Sequence, residues 1–586
     1  MKKYIFITMI FLSVVITKLY SNKQNLDVSS YGYEELDEND SEENVKFLEN
    51  SNSEKFNNGA VVTAHAVASK IGLEILKKGG NAFDCTVAVG FALSVCYPIA
   101  GNIGGGGFLV LRTSEGKTET LDFRENAPSA STYNMFLDKK GSVIKKISTA
   151  SHLSAGVPGT VDGLLTLYDK YCTLPLEQLI DPSIKLAREG FALTGTQANQ
   201  LNKIRPILIQ RNFGKKNPFV KKGIWKKGDI LQQIDLARTL YLIRTYGRDG
   251  FYSSTTADNL IAEMKRGNGI ISKSDLINYK SYWRPPLTTT YKGYRVITMP
   301  LPSSGGILLI QMLKMIENFP IRQWGYNAFN TIFLMTEISL RAFADRAVLL
   351  GPNQESVENY LDDNYLINKM KSFSFMKRTL PSDISVVSEP DYESEETTHF
   401  SIVDKWRNSV ACTITLNGNY GSKIIVDGSG FFLNNEMDDF TIKSNHPNMY
   451  NLIQSKKNMI EPNKRMLSSM TPTIVEKNNK PYLVLGSPGG PFIISSVFQT
   501  LINCVDFNMS VQSAVSAKRI HHQWMPDVLY YENSRFDKTT EQKLEKAKFT
   551  LKKRKGFGRV DAILINNGNS LECGADPRGN DTAAGF

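Results

Sequence analysis

Apolar positions change period several times along the chain, and each change predicts an element. After Met1-Lys2-Lys3, residues 4–16 are almost wholly apolar. A basic start and a stretch too short to cross a bilayer predict an export signal over residues 1–21, with Ser21 at the cleavage point. An uncleaved N-terminal anchor is the alternative, and either way the mature protein is predicted to be exported, periplasmic or secreted. Residues 22–58 carry ten acidic side chains and three lysines among few apolar ones. Such a segment cannot bury enough surface to order itself and predicts a flexible acidic leader.

From Val62 to Lys78, Val67, Ile71, Leu73, Ile75 and Leu76 fit one helical face ending at Gly79-Gly80. Asn81 is a candidate cap for a second helix, Ala82 to Tyr97, whose apolar positions run all round and predict burial. Gly101 to Gly107 is glycine-rich and precedes a strand-like Phe108 to Leu111. That order, helix–glycines–strand, reverses the arrangement that sets phosphate on a helix N-terminus, so nucleotide binding is not predicted. Residues 155–380 alternate helical periodicity with short loops, including a turn at Gly305-Gly306 before the apolar run Ile307 to Met315. An acidic loop follows over 380–396, and then the period becomes two.

Composition narrows the classes. The chain has 586 residues, 41% hydrophobic and 22% charged, a globular mix with length for about four ordinary domains or fewer large ones. Six cysteines form no CxxC pair, and the six histidines form no metal-ligand spacing. No metal or organic cofactor is implied. The net charge of +11 averages a leader of −7 against +15 over residues 59–586. The basic clusters are separated in sequence and lack interleaved aromatics, which reads as a solvated surface and no nucleic-acid partner.

The period-two stretches His399 to Val403 and Ser409 to Leu416 predict a hairpin turning at Lys405-Trp406-Arg407. If Asp404 pairs with Asn408, Thr397 lies opposite Thr415, and directly opposed side chains share a face about 5 Å apart. On spacing alone this is an ordinary Thr–Thr cross-strand pair.

Other stretches add to it. Asp122-Phe123-Arg124-Glu125, Glu396-Thr397-Thr398-His399-Phe400-Ser401, Asn434 to Phe440, Leu467-Ser468-Ser469-Met470 and Gly486-Ser487-Pro488-Gly489-Gly490 resemble, in order, the motifs of the gamma-glutamyltransferases (gamma-glutamyltranspeptidases, glutathione hydrolases), an N-terminal nucleophile family. The resemblance spans about residues 60–586. It implies an α+β fold, a four-layer αββα sandwich shared by two subunits. A precursor would cut itself between Glu396 and Thr397 into a large subunit, 59–396, and a small catalytic one, 397–586, which stay together as a heterodimer. It implies γ-glutamyl donors such as glutathione, with water, amino acids or dipeptides as acceptors.

The residues make chemical sense of these roles. A threonine hydroxyl needs a base, and cleavage before Thr397 frees an α-amino group with a pKa near 7.7–8.0. His399, two residues along, is an internal rival for that task. Thr415 could orient the nucleophile. Gly489 and Gly490 are assigned by resemblance to an oxyanion hole, although a tight turn explains them as well. Arg124 offers a fork for the substrate's α-carboxylate, with Ser468 and Ser469 adding donors. Asn417, Glu436 and Asp439 offer acceptors for its α-ammonium, and Tyr450 resembles a residue of a lid over the site. Met466 stands where the resembling motif usually has proline, leaving the approach to the serines less rigid.

Two other readings remain. One is an acylase of the same architecture acting on a β-lactam side chain or a poly-γ-glutamate. The other is a non-catalytic exported binding protein with this fold.

Overall fold

The computed structural model describes residues 53–354, 356–384, 397–533, 535–566 and 569–586. Two seven-stranded antiparallel sheets pack face to face. One runs in the order 582–585, 60–63, 398–403, 409–415, 106–112, 118–123, 282–284, and the other 54–56, 571–574, 561–565, 480–486, 473–477, 294–298, 287–291. Helices Ala66–Lys77, Ala82–Cys96 and Thr160–Tyr171 cover the first sheet, while Gly305–Ile316, Phe492–Val505 and Val511–Ser516 cover the second. The layers are therefore αββα, as expected.

Burial on both faces explains the composition. In strand Thr398–Val403 the residues Phe400 and Ile402 join the helix-side core, and Val403 joins the core between the sheets. His399 and Ser401 alternate with Phe400 and Ile402, so they face the second sheet. There a Cβ on Gly486 would stand 2.2 Å from the His399 ring, and Ser401 Oγ donates to the Asp561 carbonyl at 2.9 Å. Polar groups facing inward are thus tied off by hydrogen bonds.

The hairpin register holds: Val403 pairs with Ser409 and Thr398 with Ile414, which continues to Thr397 opposite Thr415. The Asn81 cap also holds, as a capping box with Asp84 over a helix ending at Cys96. The glycine-rich segment is a close-packing device. A Cβ on Gly105 would lie 2.0 Å from the Thr415 carbonyl, and Asn102 Nδ2 donates to that carbonyl at 2.8 Å. The loop so pins the strand end that carries Thr415.

Two boundaries need correction. The first helix begins at Ala66, because Ala60–Thr63 is a strand buried on both faces, and such a strand shows no alternation to distinguish it from a helix. The expected leader reaches too far: Glu54–Phe56 pairs with Leu571–Gly574 at a sheet edge, where backbone hydrogen bonds need no apolar side chains. The predicted signal peptide and residues 22–52 lie outside the described residues, as does the expected cleavage partner Glu396. Among the described residues no helix is long and apolar enough to cross a membrane.

Candidate active site

One end of the sheet-to-sheet interface opens into a cleft of about 320 Å³, mouth included. Its wall is built from Thr397, Thr415, Asn417, Arg124, Glu436, Asp439, Tyr450, Ser468, Ser469 and Gly490. Ten of the eleven side chains and backbones singled out from sequence thus meet there. Gly489 does not line the cleft but precedes Gly490 directly.

The hairpin supplies the first pair. Thr397 Oγ1 donates to Thr415 Oγ1 at 3.4 Å, a long bond, while the Asn417 N–H donates to the same Thr415 oxygen at 2.8 Å. Both threonines are buried. His399 does not serve Thr397. Its ring nitrogens are engaged by Thr413 Oγ1 at 2.8 Å and Ser401 Oγ at 3.1 Å, and burial pushes its pKa down to about 3.

Strand Thr118–Phe123 delivers Arg124, which is 1% exposed. Its guanidinium lies 2.6 Å from Glu436, 2.5 Å from Asp439 and 3.6 Å from Glu125. The Arg124–Glu436 contact lacks the alignment of a hydrogen bond, so both oxygens of Glu436, both of Glu125, and Arg124 Nε have no hydrogen-bond partner. Burial raises the carboxyl pKa values, with Arg124 only partly opposing: Glu125 to about 7, Asp439 above its usual range and Glu436 well above. Three acids around one guanidinium cannot all stay charged away from water. A positive fork beside negative and unsatisfied oxygens complements a zwitterionic amino-acid head.

The loops close around this. Ser468 N–H donates to the Pro302 carbonyl at 2.9 Å, and Ser304 N–H and Oγ both donate back to the Ser468 carbonyl. Met466, in the proline position, is fully buried beside Met437, Phe440 and Ile460, and the next N–H donates to Asn458 Oδ1 at 3.0 Å. Packing and a hydrogen bond therefore supply the rigidity that a proline ring would. Tyr450 OH donates to the Asn417 carbonyl at 2.6 Å, and its ring lies over Gly490. Gly489 and Gly490 have φ of 123° and 53°. Only glycine adopts such angles freely, and a Cβ on Gly490 would press on Tyr450 at 3.0 Å. Helix Phe492–Val505 starts two residues on, adding its positive N-terminal end.

Comparison with known proteins gives the family. The family model described as gamma-glutamyltranspeptidase matches residues 68–586. The chain belongs to the gamma-glutamyltranspeptidase family. It is 41% identical over 541 residues to the Escherichia coli glutathione hydrolase proenzyme, covering 90% of this chain and 92% of that one. A Pseudomonas sp. glutathione hydrolase proenzyme is 44% identical over 493 residues, 83% of this chain and 85% of the relative. The solved Helicobacter pylori gamma-glutamyltranspeptidase chain is 41% identical with a TM-score of 0.53, covering 56% of this chain and 95% of its own. A Bacillus halodurans cephalosporin acylase shares the fold, with a TM-score of 0.81 at 24% identity over 96% and 99%.

Four residues of this family member's cleft were not singled out from sequence: Arg346, Leu452, Met470 and Ile493. Arg346 matters most. It lies on helix Phe329–Leu349, is 2% exposed, and donates from Nε to Ser304 Oγ at 3.0 Å, while Nη1 has no partner. Burial lowers its pKa to about 10, with Asp439 opposing. Little in the sequence marked it, because the 21-residue helix also carries Glu337, Arg341 and Asp345.

Proposed function

We propose that this protein is a self-processing γ-glutamyl transferase and hydrolase with Thr397 as nucleophile. The observation that carries the reading is the Thr397–Thr415 pair opening onto the same cleft as Arg124, Asp439 and Ser468. A hydroxyl to attack an acyl group and a charge pattern to hold an amino-acid head lie within one small space.

Cleavage of the bond before Thr397 frees an α-amine whose reference pKa, near 7.7–8.0, suits a general base. That amine takes the Thr397 proton as Oγ1 attacks the γ-carbonyl. The backbone N–H groups at Gly489 and Gly490 stabilise the oxyanion, and the leaving amine departs protonated. Water or an acceptor amine then attacks the γ-glutamyl ester by the same route. Arg124, Ser468 and Ser469 hold the donor's α-carboxylate, while Asn417, Glu436 and Asp439 hold its α-ammonium. Tyr450 covers the acyl group. Glutathione fits as donor.

The relatives' names as proenzymes support processing. So does the solved Helicobacter pylori chain, matched over nearly all its length yet covering a share of this chain close to that of residues 59–396. The two pieces would remain one heterodimer, since strands 398–403 and 60–63 pair in one sheet. The test is Thr397→Ala: the variant should migrate as one uncut chain and release no aniline from a γ-glutamyl anilide. A variant that is cut and active refutes the assignment.

A further inference from the structure

Between Gly195 and Gly228 the chain has nine lysine or arginine residues and no aspartate or glutamate. Helix Gly195–Arg211 occupies the first half, and a loop returns along it. The two are tied at intervals. Asn202 exchanges two 2.8 Å hydrogen bonds with the backbone of Trp225, Arg205 donates to the Lys221 carbonyl at 3.4 Å, and Asn217 donates to the Leu208 carbonyl at 3.4 Å. Helix and loop therefore present one continuous surface, anchored beneath by buried Phe219 and Trp225.

Two of the cations are spoken for: Lys215 is buried against Glu263, and Lys221 pairs with Asp229. Lys203, Lys216, Lys222, Lys226 and Lys227 are exposed, and none forms an ion pair among the described residues. Among them stand apolar side chains that the core does not use: Phe213 at 87% exposure, Ile224 at 62%, and also Ile207, Ile209 and Ile230. Scattered single apolar residues are ordinary on a surface, but Ile207, Ile209, Phe213 and Ile224 all fall within the segment that has nine basic and no acidic residues. None of these residues lines the cleft.

We propose that this face docks on an anionic phospholipid bilayer. The lysines match the negative headgroup layer, and Phe213, Ile207 and Ile224 fit the boundary between headgroups and acyl chains. Aliphatic side chains suit that boundary, whereas a nucleic-acid surface would favour stacking aromatics, of which Phe213 is the one exposed example here.

The test is flotation of the full chain with vesicles of equal parts phosphatidylglycerol and phosphatidylcholine, against phosphatidylcholine alone, at about 0.1 M salt. Three proteins are compared: wild type, K216E/K222E/K226E and F213S/I224S. All carry the same N-terminal segment, and a shared thermal midpoint controls for folding. Wild type should float with the anionic vesicles only, the charge variant should bind at least about tenfold more weakly, and the apolar variant about fivefold. Equal binding by all three, or equal binding to neutral vesicles, would overturn the proposal and leave the N-terminal segment as the membrane contact. A loss confined to the charge variant, or duplex DNA bound while anionic vesicles are not, would overturn it too.

Discussion

Two of the buried clusters of guanidinium and carboxylate groups in this sandwich are built from the same residue types. Around Arg519 and Arg578, all four oxygens of Glu532 and Asp576 accept hydrogen bonds. Arg578 reaches Glu532 at 2.6 and 2.5 Å, Arg519 reaches Asp576 at 2.8 Å, and backbone N–H groups of Arg519, Phe557, Val560 and Arg578 supply the rest. Burial pushes those carboxyl pKa values up, yet the arginines and N–H donors bring them below the usual range. Around Arg124, all four oxygens of Glu125 and Glu436 lack hydrogen bonds, and the pKa values are raised. A satisfied cluster holds a fold, whereas an unsatisfied one has room for a partner.

Substitutions can break this comparison. The largest effect is expected from Arg124→Ala, which should lower kcat/KM on a γ-glutamyl anilide about a thousandfold, about 4 kcal/mol, with a modest fall in thermal midpoint. Arg578→Met should do the reverse. Chemical denaturation should show about 3–5 kcal/mol lost, because buried Glu532 loses its counter-ion and Asp576 keeps only Arg519, with the folded fraction keeping its kcat/KM. If both variants lose activity and stability alike, the distinction is wrong.

Arg346→Met is expected to act more mildly. Arg346 supports Ser304, which holds the serine loop, so steady-state kinetics should show KM raised about tenfold with kcat little changed.

The pH dependence gives the smallest effects, opposite in sign. Glu125 has its folded pKa raised to about 7 from an ordinary 4.5. It costs stability above pH 7, and the cost fades as pH falls from 7 through 4.5. Glu125→Gln should therefore raise the thermal midpoint at pH 8 and leave it unchanged near pH 4. Glu532 is depressed in the folded state, so its contribution is full above its ordinary 4.5 and is lost as pH falls through the lower folded value. Glu532→Gln should lower the midpoint at pH 7, with the deficit shrinking under acid. Melting curves across pH test both.

Much of the site was legible because its parts are local. A turn at Asp404–Asn408 fixes the pairing of Thr397 with Thr415 by counting alone, and Gly489-Gly490 announces a backbone that only glycine adopts freely. Strand order was not legible, since it depends on which buried strands meet across the sandwich. Val62 and Thr63 read as the start of a helix because a strand buried on both faces shows no alternation. Arg346 stayed hidden because its partners, Ser304 and Asp439, lie 42 and 93 positions away in sequence. The raised carboxyls around Arg124 were equally hidden, because burial sets them and sequence shows only charges.

The central claim is that Thr397 becomes an N-terminus and only then a nucleophile. Intact mass and N-terminal sequencing of the purified protein, followed in time beside aniline release from a γ-glutamyl anilide, test it directly. Two fragments are expected, one beginning Thr397-Thr398-His399, with activity rising in step with their appearance. Full activity in an uncut chain, or a small fragment beginning at any other residue, would contradict it.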